Sequence, residues 1–168
     1  SGTVRETVDY LNARGRKTGF VQVHLYRPFS AKHLLAALPG SVRRIAVLDR
    51  CKEMGSAGEP LYLDVVSAVA AAGLPVRVIG GRYGLSSKDT DPAQMAAVFE
   101  NLAADSPITS FSVGIEDDVT HRSLKVFPIG STEPDVFCCK FWGLGGDGTV
   151  GANKNSVQIL AEAAGLYA

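Results

Sequence analysis

The sequence predicts an α/β protein: a mostly parallel sheet with helices on both faces, Rossmann-like, followed by a strand–glycine loop–helix unit. Three observations carry this. Short apolar runs alternate with segments of helical apolar period, the order produced by right-handed crossovers between parallel strands. The helical segments stop at Gly15, at Pro39-Gly40 and at Gly73-Leu74-Pro75, residues that end helices. The 168 residues, 46% hydrophobic with 18 glycines, suit one packed domain, or one domain and a piece of a second, rich in tight turns.

Residues 3–14 read as a helix with Val4, Val8 and Leu11 on one face. Residues 20–25 read as the first strand, which would leave His24 packed or hydrogen-bonded in its middle. Ser30 is placed to cap a helix ending at Leu38, because its hydroxyl can accept a first-turn N–H; His33 then lies solvated in that turn. Residues 45–49 make a strand, 60–72 a helix and 76–79 another strand. Asp91-Pro92 joins a cap to proline at the first helical position, and opens a helix with Met95, Val98, Phe99 and Leu102 on one face. Residues 111–115 form the next strand.

From 116 to 135 no period is visible, and this stretch reads as a linker, long for a connection inside a compact domain. The expected division is therefore a domain over residues 1–130, then a linker and the first strand–loop–helix of the next domain over 131–168. An α/β unit ordinarily opens on a strand, whereas this chain opens on a helix. Both ends look cut, and it reads as an excised internal segment.

Charge and cysteine content narrow the function classes. Seventeen basic and seventeen acidic side chains cancel, which argues against a nucleic-acid partner held by bulk electrostatics. No apolar run approaches the ~20 residues of a membrane span, and no signal-peptide pattern opens the chain. Cys51, Cys138 and Cys139 are odd in number and contain no C-x-x-C pair. Neighbours on a strand face opposite ways, so Cys138 and Cys139 read as plain strand residues, and a reducing, cytoplasmic location fits.

The glycine-rich stretch at 143–154 holds the strongest local signal. It follows the apolar run 136–142 and precedes a helical pattern with Val150, Val157, Leu160 and Ala164 on one side. Strand, glycine turn and helix point free N–H groups at an anion, so a phosphate-bearing ligand and an ordinary tight turn are the two open readings. Gly143-x-Gly145-x-x-Gly148 also fits the dinucleotide spacing. That fingerprint needs an acid about 20 residues on, at the end of the next strand. Here Glu162 falls inside the helix, so the nicotinamide or flavin reading is incomplete.

The remaining polar loops follow the strands, where α/β sheets bind ligands. They mix Arg27, Arg50, Lys52, Arg82 and Lys88 with Asp49, Glu53, Glu116, Asp117 and Asp118. A mixed-sign surface of this kind suits ion-paired docking to another domain; plain solvated loops are the alternative. Glu116, Asp117, Asp118 and His121 show no metal-ligand spacing, so no metal site and no catalytic residue is expected.

Several long segments together resemble one family. They are Leu25-Tyr26-Arg27-Pro28-Phe29, Val47-Leu48-Asp49-Arg50-x-Lys52-Glu53, Gly58-Glu59-Pro60-Leu61-Tyr62-Leu63-Asp64-Val65 and Gly81-Arg82-Tyr83-Gly84-Leu85-x-Ser87-Lys88. Gly114-Ile115-Glu116-Asp117-Asp118-Val119-Thr120 and Phe141-Trp142-Gly143-Leu144-Gly145-x-Asp147-Gly148-Thr149-Val150-Gly151-Ala152-Asn153-Lys154 complete the set. Read together they resemble pyruvate:ferredoxin (flavodoxin) oxidoreductases, over nearly the whole chain.

The resemblance implies a segment of a large 2-oxoacid oxidoreductase that uses thiamine diphosphate with magnesium, iron–sulfur clusters and coenzyme A. Electrons would leave to ferredoxin or flavodoxin, and the whole enzyme would be a homodimer. Residues 1–130 would be its second domain, like the C-terminal domain of transketolase, and the part after it would begin the next domain. Asp147, Gly148, Thr149, Val150 and Gly151 would contact coenzyme A. Arg27, Arg50, Arg82, Glu116, Asp117 and Asp118 would meet the other domains of the same polypeptide. The thiamine motif and the clustered cysteines are missing here, so the segment itself is expected to bind no cofactor and to be inactive. Cys51 stands where the family often has a small hydroxyl residue, and residues 122–136 look compressed. Two other classes stay open: a non-catalytic assembly domain of a related protein, and a nucleotide-binding module.

Overall fold

The structure, a computed structural model, describes residues 2–117, 119–130 and 139–164. The chain divides into two compact units, Ser1–Ser131 and Thr132–Ala168.

In the first unit three parallel strands, β1 (Arg44–Asp49), β2 (Arg77–Tyr83) and β3 (Phe111–Val113), lie in the order β1-β2-β3. Arg44 pairs with Arg77 and Gly81 with Phe111. The helices are α1 (Gly2–Asn12), α2 (Ala31–Ala37), α3 (Pro60–Ala71) and α4 (Pro92–Ala103). Strand side chains alternate between faces, and the two cores follow that alternation. Ile79, Phe111 and Val113 pack with Met95 and Val98 of α4, while Val47 packs with Val65 and Val69 of α3. Val4 of α1 joins the first cluster and Leu34 of α2 the second, so each face carries a pair of helices.

The helix ends are held by the groups the sequence supplies. Ser30 accepts the His33 N–H at the start of α2, and Asp91 accepts the Gln94 N–H at the start of α4. At the other end of α4, the Arg44 side chain donates to the carbonyls of Leu102 and Ala103, which have no intrahelical partner.

Several expectations change. Residues 20–25 form no strand: Phe20, Val21, His24 and Leu25 are exposed and join no ladder. Apolar character alone does not make a strand, because β-propensity expresses packing against cross-strand neighbours. β2 runs past 79 to Tyr83, through glycines that had looked like a loop. They stay in the strand because rings lie against them: a Cβ on Gly80 would stand 2.8 Å from Tyr62, and one on Gly81 2.2 Å from Phe111. β3 ends at Val113, before Ile115, because Gly114 turns the chain at φ +80°.

The stretch from 116 is also not a free linker throughout. Ser112 donates to the Arg122 carbonyl at 3.1 Å, and Leu124 donates back to Ser112 at 2.9 Å. This short parallel bridge satisfies backbone groups on the open side of β3, and Leu124 then packs against the α4-side core.

In the second unit α5 spans Thr149–Ala164. Residues 139–142 are not extended into a strand, and Cys139 is exposed on a loop; the expected strand residues Val136–Cys138, and Asp118 of the acidic loop, lie outside the described residues. A strand needs a neighbouring ladder, and residues 139–142 have none among the described residues. Val150, Val157 and Leu160 are all exposed on α5, and the side chain of Ala164 lies outside the described residues. No helix among the described residues is long and apolar enough to cross a membrane.

Candidate functional site

Two places collect the functional residues expected from sequence. In the first unit it is the edge formed by the carboxyl ends of the strands. Asp49, the last residue of β1, turns inward there and is buried. Its two carboxylate oxygens accept the N–H groups of Leu61 and Tyr62 at 3.0 and 3.1 Å. Glu59 stands at the N-cap position of α3 without capping it, so Asp49 performs that task from the neighbouring strand. Burial pushes the Asp49 carboxyl above its ordinary pKa, and the two backbone bonds pull the other way.

Glu59 is instead committed to Arg82. Its Oε1 accepts the Arg82 Nε at 2.6 Å, at 2% exposure for the glutamate side chain. Its Oε2 is buried without a partner among the described residues. Arg27 lies over the Tyr26 ring at 4.0 Å and pairs with Asp64 at 2.6 Å. Arg50 donates to the Gly84 carbonyl at 3.2 Å. The three arginines expected to meet another domain are thus each engaged within their own unit. Sequence reasoning missed the acids that hold two of them, Glu59 for Arg82 and Asp64 for Arg27. Both lie in the segment Gly58-Glu59-Pro60-Leu61-Tyr62-Leu63-Asp64, whose only local signal was the proline that starts α3.

The acidic loop after β3 is a turn. Asp117 accepts from the N–H groups of Val119 and Thr120 and from the Thr120 hydroxyl, and its own N–H donates to Ser123 at 2.6 Å. Those bonds, the Thr120 hydroxyl first, hold its carboxyl far below the usual carboxylate range. Glu116 is exposed beside it. Among the described residues no three His, Cys, Asp or Glu side chains gather as a metal group. Burial raises the Cys51 thiol above its ordinary pKa, with Asp49 and Glu59 adding to the effect.

The second place is the glycine loop before α5. Gly145, Gly146 and Gly148 take φ of +85°, +66° and +83°, the left-handed backbone that makes this turn possible. Asp147 closes the loop on itself. Its Oδ2 accepts the Leu144 N–H at 2.8 Å, and its Oδ1 accepts the Thr149 N–H at 3.0 Å and the Thr149 hydroxyl at 2.6 Å. These bonds, the hydroxyl first, lower its carboxyl to about 2.

A carboxylate therefore already sits at the positive end of α5, where a phosphate would otherwise be drawn. The N–H groups of Val150 and Gly151 fall inside the first turn of α5, where a helix leaves its N–H groups without an intrahelical acceptor. Beside them Trp142 is 83% exposed and Leu144 is fully exposed. Glu162 lies within α5 and accepts from Gln158 at 2.8 Å, away from any ribose-binding position at a strand end.

Taken by its architecture, the first unit is a Rossmann-like α/β domain with its polar loops at the carboxyl edge. The family described as "Pyruvate:ferredoxin oxidoreductase core domain II" matches residues 1–95. The chain is 55% identical over 166 residues to the pyruvate:ferredoxin oxidoreductase of Moorella thermoacetica, covering 98% of this chain and 14% of that protein. It is 55% identical over 180 residues to a pyruvate-flavodoxin oxidoreductase of a Nostoc species, covering 99% of the chain and 15% of the relative. Against the pyruvate-flavodoxin oxidoreductase of Rhodospirillum rubrum the identity is 57%, with 98% and 15% covered. The chain belongs to the pyruvate:ferredoxin oxidoreductase family, and it spans about one seventh of the length of these relatives.

Proposed function

We propose that the chain is a segment of a 2-oxoacid oxidoreductase that converts pyruvate and coenzyme A to acetyl-CoA and CO2 and passes electrons to ferredoxin or flavodoxin. The observation that supports this is identity of 55–57% over nearly the whole chain to relatives named pyruvate:ferredoxin or pyruvate-flavodoxin oxidoreductase. Thiamine diphosphate, magnesium and iron–sulfur clusters supply the decarboxylation and electron-transfer chemistry in this reading. The described residues assemble no donor set suited to a metal or a cluster, so no step is assigned to them through those groups. Residues 1–130 act as scaffold, and the whole enzyme works as a cytoplasmic homodimer.

Residues Asp147, Gly148, Thr149, Val150 and Gly151 form part of the coenzyme A site. Their donor set suits a neutral portion of that molecule. With Asp147 occupying the Leu144 and Thr149 donors, the Val150 and Gly151 N–H groups are matched to an amide carbonyl of the pantetheine arm better than to a phosphate. The loop's part is binding and orientation: it fixes the arm while the reacting groups come from elsewhere in the polypeptide. Arg27, Arg50, Arg82, Glu116, Asp117 and Asp118 contribute to domain contacts, the arginines by stiffening the loops that face them.

The test is Gly148→Val in the full-length enzyme. Valine at φ +83° strains the turn, while a Cβ there meets nothing within 4 Å, so the perturbation is of the backbone of this loop. The apparent KM for coenzyme A should rise by about tenfold, a loss on the order of 1.4 kcal/mol, with pyruvate-dependent reduction of the acceptor retained. Unchanged coenzyme A dependence would remove these residues from the site.

A further inference from the structure

A groove of about 520 Å³ runs along α4 in the first unit, on the side away from the sheet, between α1 and the segment at 124–129. Its floor is the half-buried Ala93 and Ala97 with Ala96, already buried, its walls are the buried Leu11 and the half-buried Leu124, and Phe127 stands at its side 71% exposed. Alanines at these spacings lie on one face of α4 and let another backbone approach closely. An exposed phenylalanine over such a floor has apolar surface to bury.

The rim is basic. Arg14 lies flat over the Tyr10 ring at 3.6 Å, Lys125 is exposed, and Arg16 is the third cation. Glu100 opposes them and is already paired with Arg16 at 2.9 Å. In a chain of zero net charge this is a local positive excess around an apolar trough. Small-molecule sites place a few polar groups at fixed points inside the pocket. Here the polar groups sit at the rim, and the amide of Asn101 is used at both ends by the Ile108 backbone, at 2.9 Å each. The chain is also only 14–15% as long as the relatives it matches.

We propose that this groove is a docking surface for an amphipathic helix of the same polypeptide, lying outside this segment and carrying carboxylates that meet Arg14 and Lys125. The helix lays its apolar face on the alanine floor and under Phe127, and its acids select the register. The proposal rests on family membership and not on the coenzyme A reading, and its readout is independent of coenzyme A.

Amide hydrogen exchange is compared between this chain alone and the full-length protein. Residues 93–101 and 124–129 should exchange about tenfold more slowly in the full-length protein, and equal rates would overturn the proposal. The double variant Arg14→Glu/Lys125→Glu should lose that added protection in the full-length protein. The same variant should lower the urea midpoint of the chain alone only slightly, by the exposed contacts of Arg14 with the Tyr10 ring and carbonyl, and a Lys125→Glu single variant should leave it unchanged. Full protection retained by the variant would show that the occupant is not anionic. Protection produced in the chain alone by ATP or by coenzyme A would make the groove a small-molecule site and overturn the assignment to a helix.

Discussion

Replacing Gly81 by alanine measures how tightly the sheet closes on its own core. A Cβ at this position would stand 2.2 Å from Cε2 and Cζ of Phe111, its partner across the ladder. Carbon atoms rest at about 3.5–4.0 Å, so the ring would have to retreat by roughly 1.5 Å. Phe111 has no exposed surface and is packed among Ile79, Met95, Val98 and Val113, so it has nowhere to go. Overpacking of this kind costs about 1–3 kcal/mol, and the closeness of the clash puts it at the upper end, about 3 kcal/mol. Alanine also restrains the unfolded chain, which returns about 0.5–1 kcal/mol. The clash wins, leaving a net loss of about 2 kcal/mol. Urea unfolding of the chain should show the midpoint falling by about 1 M, at an m-value of about 2 kcal/mol/M. Gly40→Ala, where a Cβ meets nothing within 4 Å, is the control and should stay within about 0.5 kcal/mol of wild type. Phe111→Leu placed in the Gly81→Ala background should recover part of the loss. A Gly81→Ala chain as stable as the Gly40→Ala chain would refute the reasoning.

Further outcomes are expected at the buried acids and at the glycine loop. Asp49→Ala strands two part-buried N–H groups at the start of α3 and should cost about 2 kcal/mol in the same assay. Because burial raises the Asp49 carboxyl, its contribution is complete below the ordinary carboxylate pKa and declines as pH rises through the folded value; the margin of wild type over Asp49→Asn should therefore shrink as pH rises above the ordinary carboxylate value, and a growing margin would contradict it. Glu59→Ala leaves the Arg82 guanidinium, 17% exposed, without its acid and should cost about 3–5 kcal/mol, whereas Glu59→Met with Arg82→Met should cost much less; equal losses in calorimetry would argue against a buried pair. The Asp147 carboxyl, followed by carbon NMR, should titrate at about 2, so that its bonds to Thr149 and Leu144 persist above the ordinary value and are lost as pH falls through that range. Thr149→Val should move that titration upward, since the hydroxyl is the largest cause of the depression.

Much of the fold is legible in single residues. Ser30 and Asp91 cap α2 and α4, and Pro60 and Pro92 start α3 and α4, because caps and proline act through backbone geometry within one turn. The glycine loop is legible for the same reason, since left-handed φ and a free helix start are local properties. Strand limits were less so. Residues 20–25 carry an apolar pattern without a ladder, while Gly80 and Gly81 lack side chains and still belong to β2.

The site divides in the same way. The order of residues around Asp147 is enough to place a capping carboxylate and a helix start, because the partners Leu144 and Thr149 lie within three positions of it. What Asp49, Glu59 and Arg82 do depends on elements brought together across the chain. Asp49 reaches α3 only once β1 and α3 pack, and Arg82 meets Glu59 only once β2 lies beside that helix start. The sequence by itself determined the α/β class, the local caps and the loop. Tertiary structure decided which charged side chains would be buried in pairs and which strands would exist, because ladders and desolvation are properties of neighbours far apart in the chain.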